Sequence, residues 1–158
     1  MAGGATEKPA TDIGELLELA ARYNPEVDRE LLRRAYAVAA EAHEGQKRLT
    51  GEAYLVHPFE VAKLLTELEM DDATLAAALL HDVVEDTGRE LEEVQAEFGP
   101  EIAGLVDGVT KLRRIQFDTG RARQAENLRR MLLAMAQDLR VILIKLADRL
   151  HKIGRAHV

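Results

Sequence analysis

The stretch "ATLAAALLHDVV", residues 73–84, constrains this chain more than any other. Written on a helix it is apolar on every face, and such a helix is stable only when other elements cover it all round. The chain must therefore fold about it. Yet the overlapping run "AALLHDVVEDT" sets four ionisable residues within six positions: His81, Asp82, Glu85 and Asp86. Taking an unpaired charge out of water costs several kcal/mol even after relaxation, and three neighbouring acids repel one another. Something positive must offset them.

The other segments read as the helices that would do the covering. Asp12 can cap a helix through about Tyr23, and a longer one after "NPEVD" carries Leu31, Leu32, Ala35, Val38, Ala39 and Ala42 before Gly45. Pro58 predicts an extended His57 and suits the first turn of a helix running to about Glu69. Asp71 or Asp72 can cap the apolar helix 73–84, and Thr87 with Glu90 has capping-box spacing for a helix that Gly99-Pro100 closes. Helices over about 101–115, 122–137 and 139–151 follow, with "QFDTGRAR" as a loop and Asp138 between the last two. The fold class is all-α, a compact multi-helix bundle.

With 158 residues, 47% of them hydrophobic, the chain suits one globular domain. It has no cysteine, so a metal must be held by His, Asp, Glu, backbone or water. The net charge of −7 argues against a general nucleic-acid binder, although basic residues cluster at 46–48, 111–114 and 121–130. No apolar run approaches the roughly 18 residues of a membrane span. "MAGGATEKPATD" lacks the apolar core of a secretory signal and reads as a disordered lead-in over 1–11. The default is a cytoplasmic protein that does not engage membrane.

A second oddity matches the first. "VILIKLADRLH", 141–151, is nearly all apolar yet contains Asp148, and a buried Asp is uncommon unless paired or bound to metal. Asp148 can pair with Arg149 or Lys145. If the segment carrying His57 meets these two, His57, His81, Asp82 and Asp148 form a site of two imidazoles and two carboxylates. Such donors suit Mn, Fe, Zn or Mg, and a metal so held lowers the pKa of bound water and polarises a phosphoryl oxygen. Glu85 and Asp86 stand one helical turn beyond His81 and Asp82, placed to orient a water or move protons. His43 and His151 look ordinary and receive no role.

Four segments in this order, "AHEGQKRLTGEAYLVHP", "AALLHDVVEDT", "LVDGVTKL" and "QAENLRRMLLAMAQDLRVILIKLADRLH", resemble the N-terminal HD hydrolase domain of RelA/SpoT-type bifunctional (p)ppGpp synthetase/hydrolases. The likeness covers roughly residues 28–151. It implies that His57, His81, Asp82 and Asp148 are ligands to Mn2+. It implies that Glu85 and Asp86 are the catalytic pair serving the water that attacks the 3′-diphosphate of ppGpp or pppGpp, yielding pyrophosphate and GDP or GTP. Arg48 and Thr50 fall where the family contacts the guanine nucleotide with an Arg and usually a Ser. Leu49 departs from the Lys or polar residue that many members carry between them. Lys111 reads as supporting structure. The likeness also implies a longer parent that contacts the ribosome through regions outside this chain, with no nucleic acid bound by this domain.

After "ADRLH" the family continues with Asn, Met, Arg and Thr, whereas this chain reads "KIGRAHV". "IGRAHV" matches a translation of ATC GGA AGA GCA CAC GTC, and so resembles a sequencing-adapter read-through. The expectation is a hydrolase domain over 12–151, truncated at its C-terminus, with a non-native tail over 152–158. Lys152 replaces an Asn that helps hold the nucleotide, and lost packing partners would leave apolar surface on the helix 139–151. The alternatives are a stand-alone small alarmone or other nucleotide HD phosphohydrolase, and a catalytically silent nucleotide-binding module.

Overall fold

A computed structural model describes residues 11–44, 55–113, 124–126, 128, 129, 132 and 138–156. Among these, eight helices have defined bounds and no strand occurs: α1 Ile13–Tyr23, α2 Arg29–Ala42, α3 Val56–Glu67, α4 Asp72–Leu80, α5 Val83–Thr87, α6 Leu91–Phe98, α7 Pro100–Arg113 and α8 Leu139–Ala156. The all-α class is as the sequence predicts. The helix expected over about 122–137 lies largely outside the described residues, and the residues described within it are helical.

Helix α4 is the axis of the fold. Residues 73 to 80 are all buried, and α2, α3, α7 and α8 pack around them. Asp71 is its cap: the carboxylate accepts the Thr74 amide at 2.9 Å. Asp72 instead accepts the Asp28 amide at 3.0 Å, while Asp28 caps α2 by accepting from Leu31 at 3.0 Å. The two helix starts are thereby tied together. Arg140 joins the start of α4 to two more, since its guanidinium reaches Asp71 at 2.9 Å, Glu101 at 2.7 Å and Asp138 at 2.7 Å. These acids sit at the N-termini of α4, α7 and α8, where the helix dipole favours negative charge.

Four expectations need correction. The helix predicted over 73–84 is two helices, broken at His81-Asp82. The His81 ring takes the carbonyl of Ala78 at 2.6 Å, so the last turn tightens and the ladder resumes only with the Asp86 amide donating to Asp82 at 2.9 Å. His57 is not extended but lies in the first turn of α3, where Pro58 is tolerated because its missing N–H would have no helical partner there. Glu90, not Thr87, precedes α6, and it makes no side-chain cap; the Thr87 hydroxyl donates to the Val83 carbonyl within α5. Helix α8 runs on through Ala156, past the predicted end at 151.

On the last helix Leu139, Leu146, Leu150 and Ile153 are all exposed. Among the described residues no helix is long and apolar enough to cross a membrane.

Helices α7 and α8 approach closely at Gly108, where a Cβ would stand 2.7 Å from one methyl of Val141. Valine is stiff at χ1 in a helix and cannot swing aside. Gly108→Ala gains helix propensity but overpacks this crossing, and a net loss of about 1–2 kcal/mol is expected, read by urea denaturation. Tyr23 makes a separate tie by donating its hydroxyl to the Met70 carbonyl at 2.7 Å. Burial, then the nearby Asp71, Glu69 and Asp72, pushes its pKa up to about 12. A raised pKa means that its contribution is complete below about pH 10 and is lost as pH rises toward the folded value. Absorbance titration should find one late-titrating tyrosine of the three in the sequence, and Tyr23→Phe should remove it.

Candidate metal centre

Three helices bring polar side chains to one buried point. Helix α3 supplies His57 from its first turn, the break after α4 supplies His81 and Asp82, and α8 supplies Asp148. Their relative exposures are 1%, 3%, 5% and 2%, so each must find partners within the protein. Asp148 is the hub. Its Oδ1 stands 2.5 Å from His57 Nε2 and 3.3 Å from His81 Nε2. His57, His81 and Asp148 each offer one donor atom within 4.8 Å of the others. Asp82 joins through His81, its Oδ2 3.2 Å from the same Nε2.

The other oxygen of Asp148 faces cations. Lys145 lies 3.2 Å and Lys152 3.4 Å from Oδ2. Of the two partners considered for Asp148, Lys145 is therefore the one in reach, and Arg149 is exposed. Lys152, where the family pattern has Asn, is engaged with the same carboxylate.

Electrostatics divides the two imidazoles. Burial lowers the His57 pKa and outweighs the opposing hydrogen bond to Asp148. Burial also acts to lower that of His81, but Asp82, then Asp148, more than compensates and raises it. Burial alone would raise Asp148; hydrogen bonds from His57 and His81 overcome this and hold it well below the usual carboxylate range. The acids are thus faced by the His81 ring, and Asp148 also by Lys145 and Lys152.

The donor set fits a divalent cation. The Ala78 carbonyl accepts the Nδ1 proton of His81, which leaves Nε2 as the atom that can surrender a proton and ligate. The sulfur-free set of imidazole and carboxylate is the chemistry of Mn, Fe, Zn or Mg sites.

The remaining predicted residues divide clearly. Glu85 and Asp86 lie on α5 just beyond the break, Glu85 half-buried and Asp86 exposed. Arg48 and Thr50 lie outside the described residues. Lys111 is 72% exposed and pairs with Asp107 at 2.9 Å on its own helix. Sequence reasoning missed His151, whose Nδ1 stands 2.6 Å from Nδ1 of His57. The available signal was its position three residues after Asp148, on the same helical face.

A bundle of helices with a His-Asp pair at its centre, completed by a His and an Asp from distant segments, defines a class. The chain belongs to the HD domain family, whose model matches residues 35–157. Within that class its sequence is similar to proteins of the RelA/SpoT type. It is 50% identical over 139 residues, 88% of this chain, to the GTP pyrophosphokinase rsh of Brucella melitensis. It is 53% identical over 134 residues, 85% of the chain, to the guanosine-3′,5′-bis(diphosphate) 3′-pyrophosphohydrolase of Vibrio cholerae. It is 51% identical over 138 residues, 87% of the chain, to the bifunctional (p)ppGpp synthase/hydrolase SpoT of Escherichia coli. These matches span only 18%, 19% and 20% of the respective relatives.

Asp82 and Asp148 raise the His81 pKa, so a cation that uses Nε2 competes with a proton for it. Affinity should rise with pH up to the elevated His81 pKa and level off above it. Calorimetry in buffers of different ionisation enthalpy should register release of about one proton per metal bound below that pKa, and His81→Ala should abolish both binding and release.

Proposed function

We propose that this chain is the hydrolase part of a (p)ppGpp synthetase/hydrolase, a Mn2+-dependent guanosine-3′,5′-bis(diphosphate) 3′-pyrophosphohydrolase. Residues 12–151 constitute that domain. The observation that carries the reading is the convergence of His57, His81 and Asp148 on one buried point, with Asp82 attached through His81. The relatives' names supply the substrate class. The proposal includes a cytoplasmic location and, for a longer protein, contact with the ribosome through segments outside this chain.

A bound divalent cation supplies Lewis acidity toward a phosphoryl oxygen and acidity to a coordinated water. His57, His81, Asp82 and Asp148 are the residues that hold it. Arg48 and Thr50 contact the guanine nucleotide. Glu85 and Asp86 orient the attacking water and accept its proton. The water oxygen bonds to the phosphorus next to the ribose 3′ oxygen, the 3′ O–P bond breaks, and pyrophosphate departs. The 3′ oxygen takes up a proton and the nucleoside product is GDP or GTP. General acid–base assistance of this kind contributes about 10²–10⁴-fold.

The test is pyrophosphate release from ppGpp with Mn2+ present. Glu85→Gln and Asp86→Asn should each slow release by about 10²–10⁴-fold while Mn2+ affinity stays close to wild type. Asp82→Ala should lose release together with metal. Metal binding without pyrophosphate release, in this chain and in the same domain within its longer parent, would overturn the hydrolase reading.

A further inference from the structure

His151 is a residue that neither the donor set nor the acidic pair uses. It lies half-buried on α8, one turn beyond Asp148, and its ring is tilted 30° against that of His57 with centroids 4.8 Å apart. The two Nδ1 atoms are 2.6 Å apart, so one carries a proton and the other accepts it. At the far side of the His57 ring, Nε2 lies 2.5 Å from Asp148 Oδ1. A neutral imidazole has a single N–H. When His57 donates from Nε2 to Asp148, its Nδ1 must accept, and His151 must donate. When His57 Nε2 has no proton and serves as a ligand atom, its Nδ1 must carry the proton and His151 must accept.

We propose that His151 is a positioning residue that shares one proton with His57 through their facing Nδ1 atoms, and so sets which tautomer His57 presents to the centre. The proposal rests on the metal-centre reading and extends it to an outer ring nitrogen. The proton balance is closed within the pair. In the metal-free fold His57 carries its proton on Nε2 and His151 carries one on Nδ1. In the ligating state the His151 proton has crossed to His57 Nδ1, the former His57 Nε2 proton has gone to solvent, and His151 Nε2 has taken one up. Two protons are present before and after. His57 stays neutral throughout, which its burial favours.

This arrangement does for His57 what a backbone carbonyl does for His81. The Ala78 carbonyl can only accept, so His81 Nδ1 is a fixed donor. An imidazole can donate or accept, so His57 is served in both states. Outer partners of ligating histidines generally fix ring orientation, and their loss costs about 10–100-fold in metal affinity.

Two substitutions separate this role from packing. His151→Phe keeps a ring against His57 and removes the nitrogen. His151→Asn keeps a polar atom close to the position of Nδ1 that can donate or accept. Nitrogen-15 NMR of the imidazoles, without metal and with diamagnetic Zn2+, reads the His57 tautomer directly. In the wild type His57 should be the Nε2–H form without metal and the Nδ1–H form with Zn2+, with a coupling across the Nδ1–Nδ1 bond. His151→Phe should lose that coupling and bind Zn2+ about 10–100-fold more weakly, and His151→Asn should recover most of the affinity. Melting temperatures of the metal-free proteins should agree among the three. Unchanged Zn2+ affinity in His151→Phe, or equal weakening in both variants, would overturn the proposal. Failure of the wild type to bind Zn2+ or Mn2+ would instead overturn the metal centre. The metal-free coupling and the tautomer change in His151→Phe would still decide whether His151 positions His57.

Discussion

One desolvated carboxylate organises this protein. Asp148 sits on a helix otherwise given over to apolar packing, and burial alone would drive it toward the neutral acid. It stays ionised because three helices each deliver a cationic or hydrogen-bonding partner to it: His57 from α3, His81 from the end of α4, and Lys145 and Lys152 from α8 itself. Losing any one of those packings would leave a charge in the core without adequate company, which is among the costlier defects a fold can carry. The contact between α3 and α8, and that of α4 with both, is therefore an electrostatic requirement as well as a hydrophobic one.

Much of this was legible before any coordinates. The all-round apolarity of residues 73–80 identifies a central helix because no other environment accommodates it, and α4 is central. Asp148 in an apolar helix and His81-Asp82 after another stand out because burial and charge conflict, and those residues do meet. The failures share a cause. The break at His81 arises from a ring nitrogen competing for the Ala78 carbonyl, a side-chain to backbone bond that hydrophobic periodicity does not register. The extended state predicted for His57 rested on a local preference before proline, and the first-turn position of α3 overrides it. His151 receives no role in the sequence reading because its partner is 94 positions away in the chain. The one local sign was its place three residues after Asp148 on the same helical face.

The cluster is also preassembled. His81 is held at both ring nitrogens and His57 likewise, so the donors already face one another through hydrogen bonds and ion pairs. A site built in this way gives up little conformational entropy when a cation replaces a proton. The acids of α5 lie just outside this buried cluster, directly after the break that ends α4.

The crossing at Gly108 takes on a further meaning in that setting. Val141, which fills the space beside Gly108, stands seven residues before Asp148, about two turns or roughly 10 Å along α8. The two therefore share nearly the same side of the helix. A slip of one residue at the crossing would rotate Asp148 by about 100° and carry its carboxylate out of reach of both imidazoles. The missing side chain of a glycine on α7 thus acts as an indexing notch: it sets the phase of α8, and with it whether the carboxylate meets its partners at all.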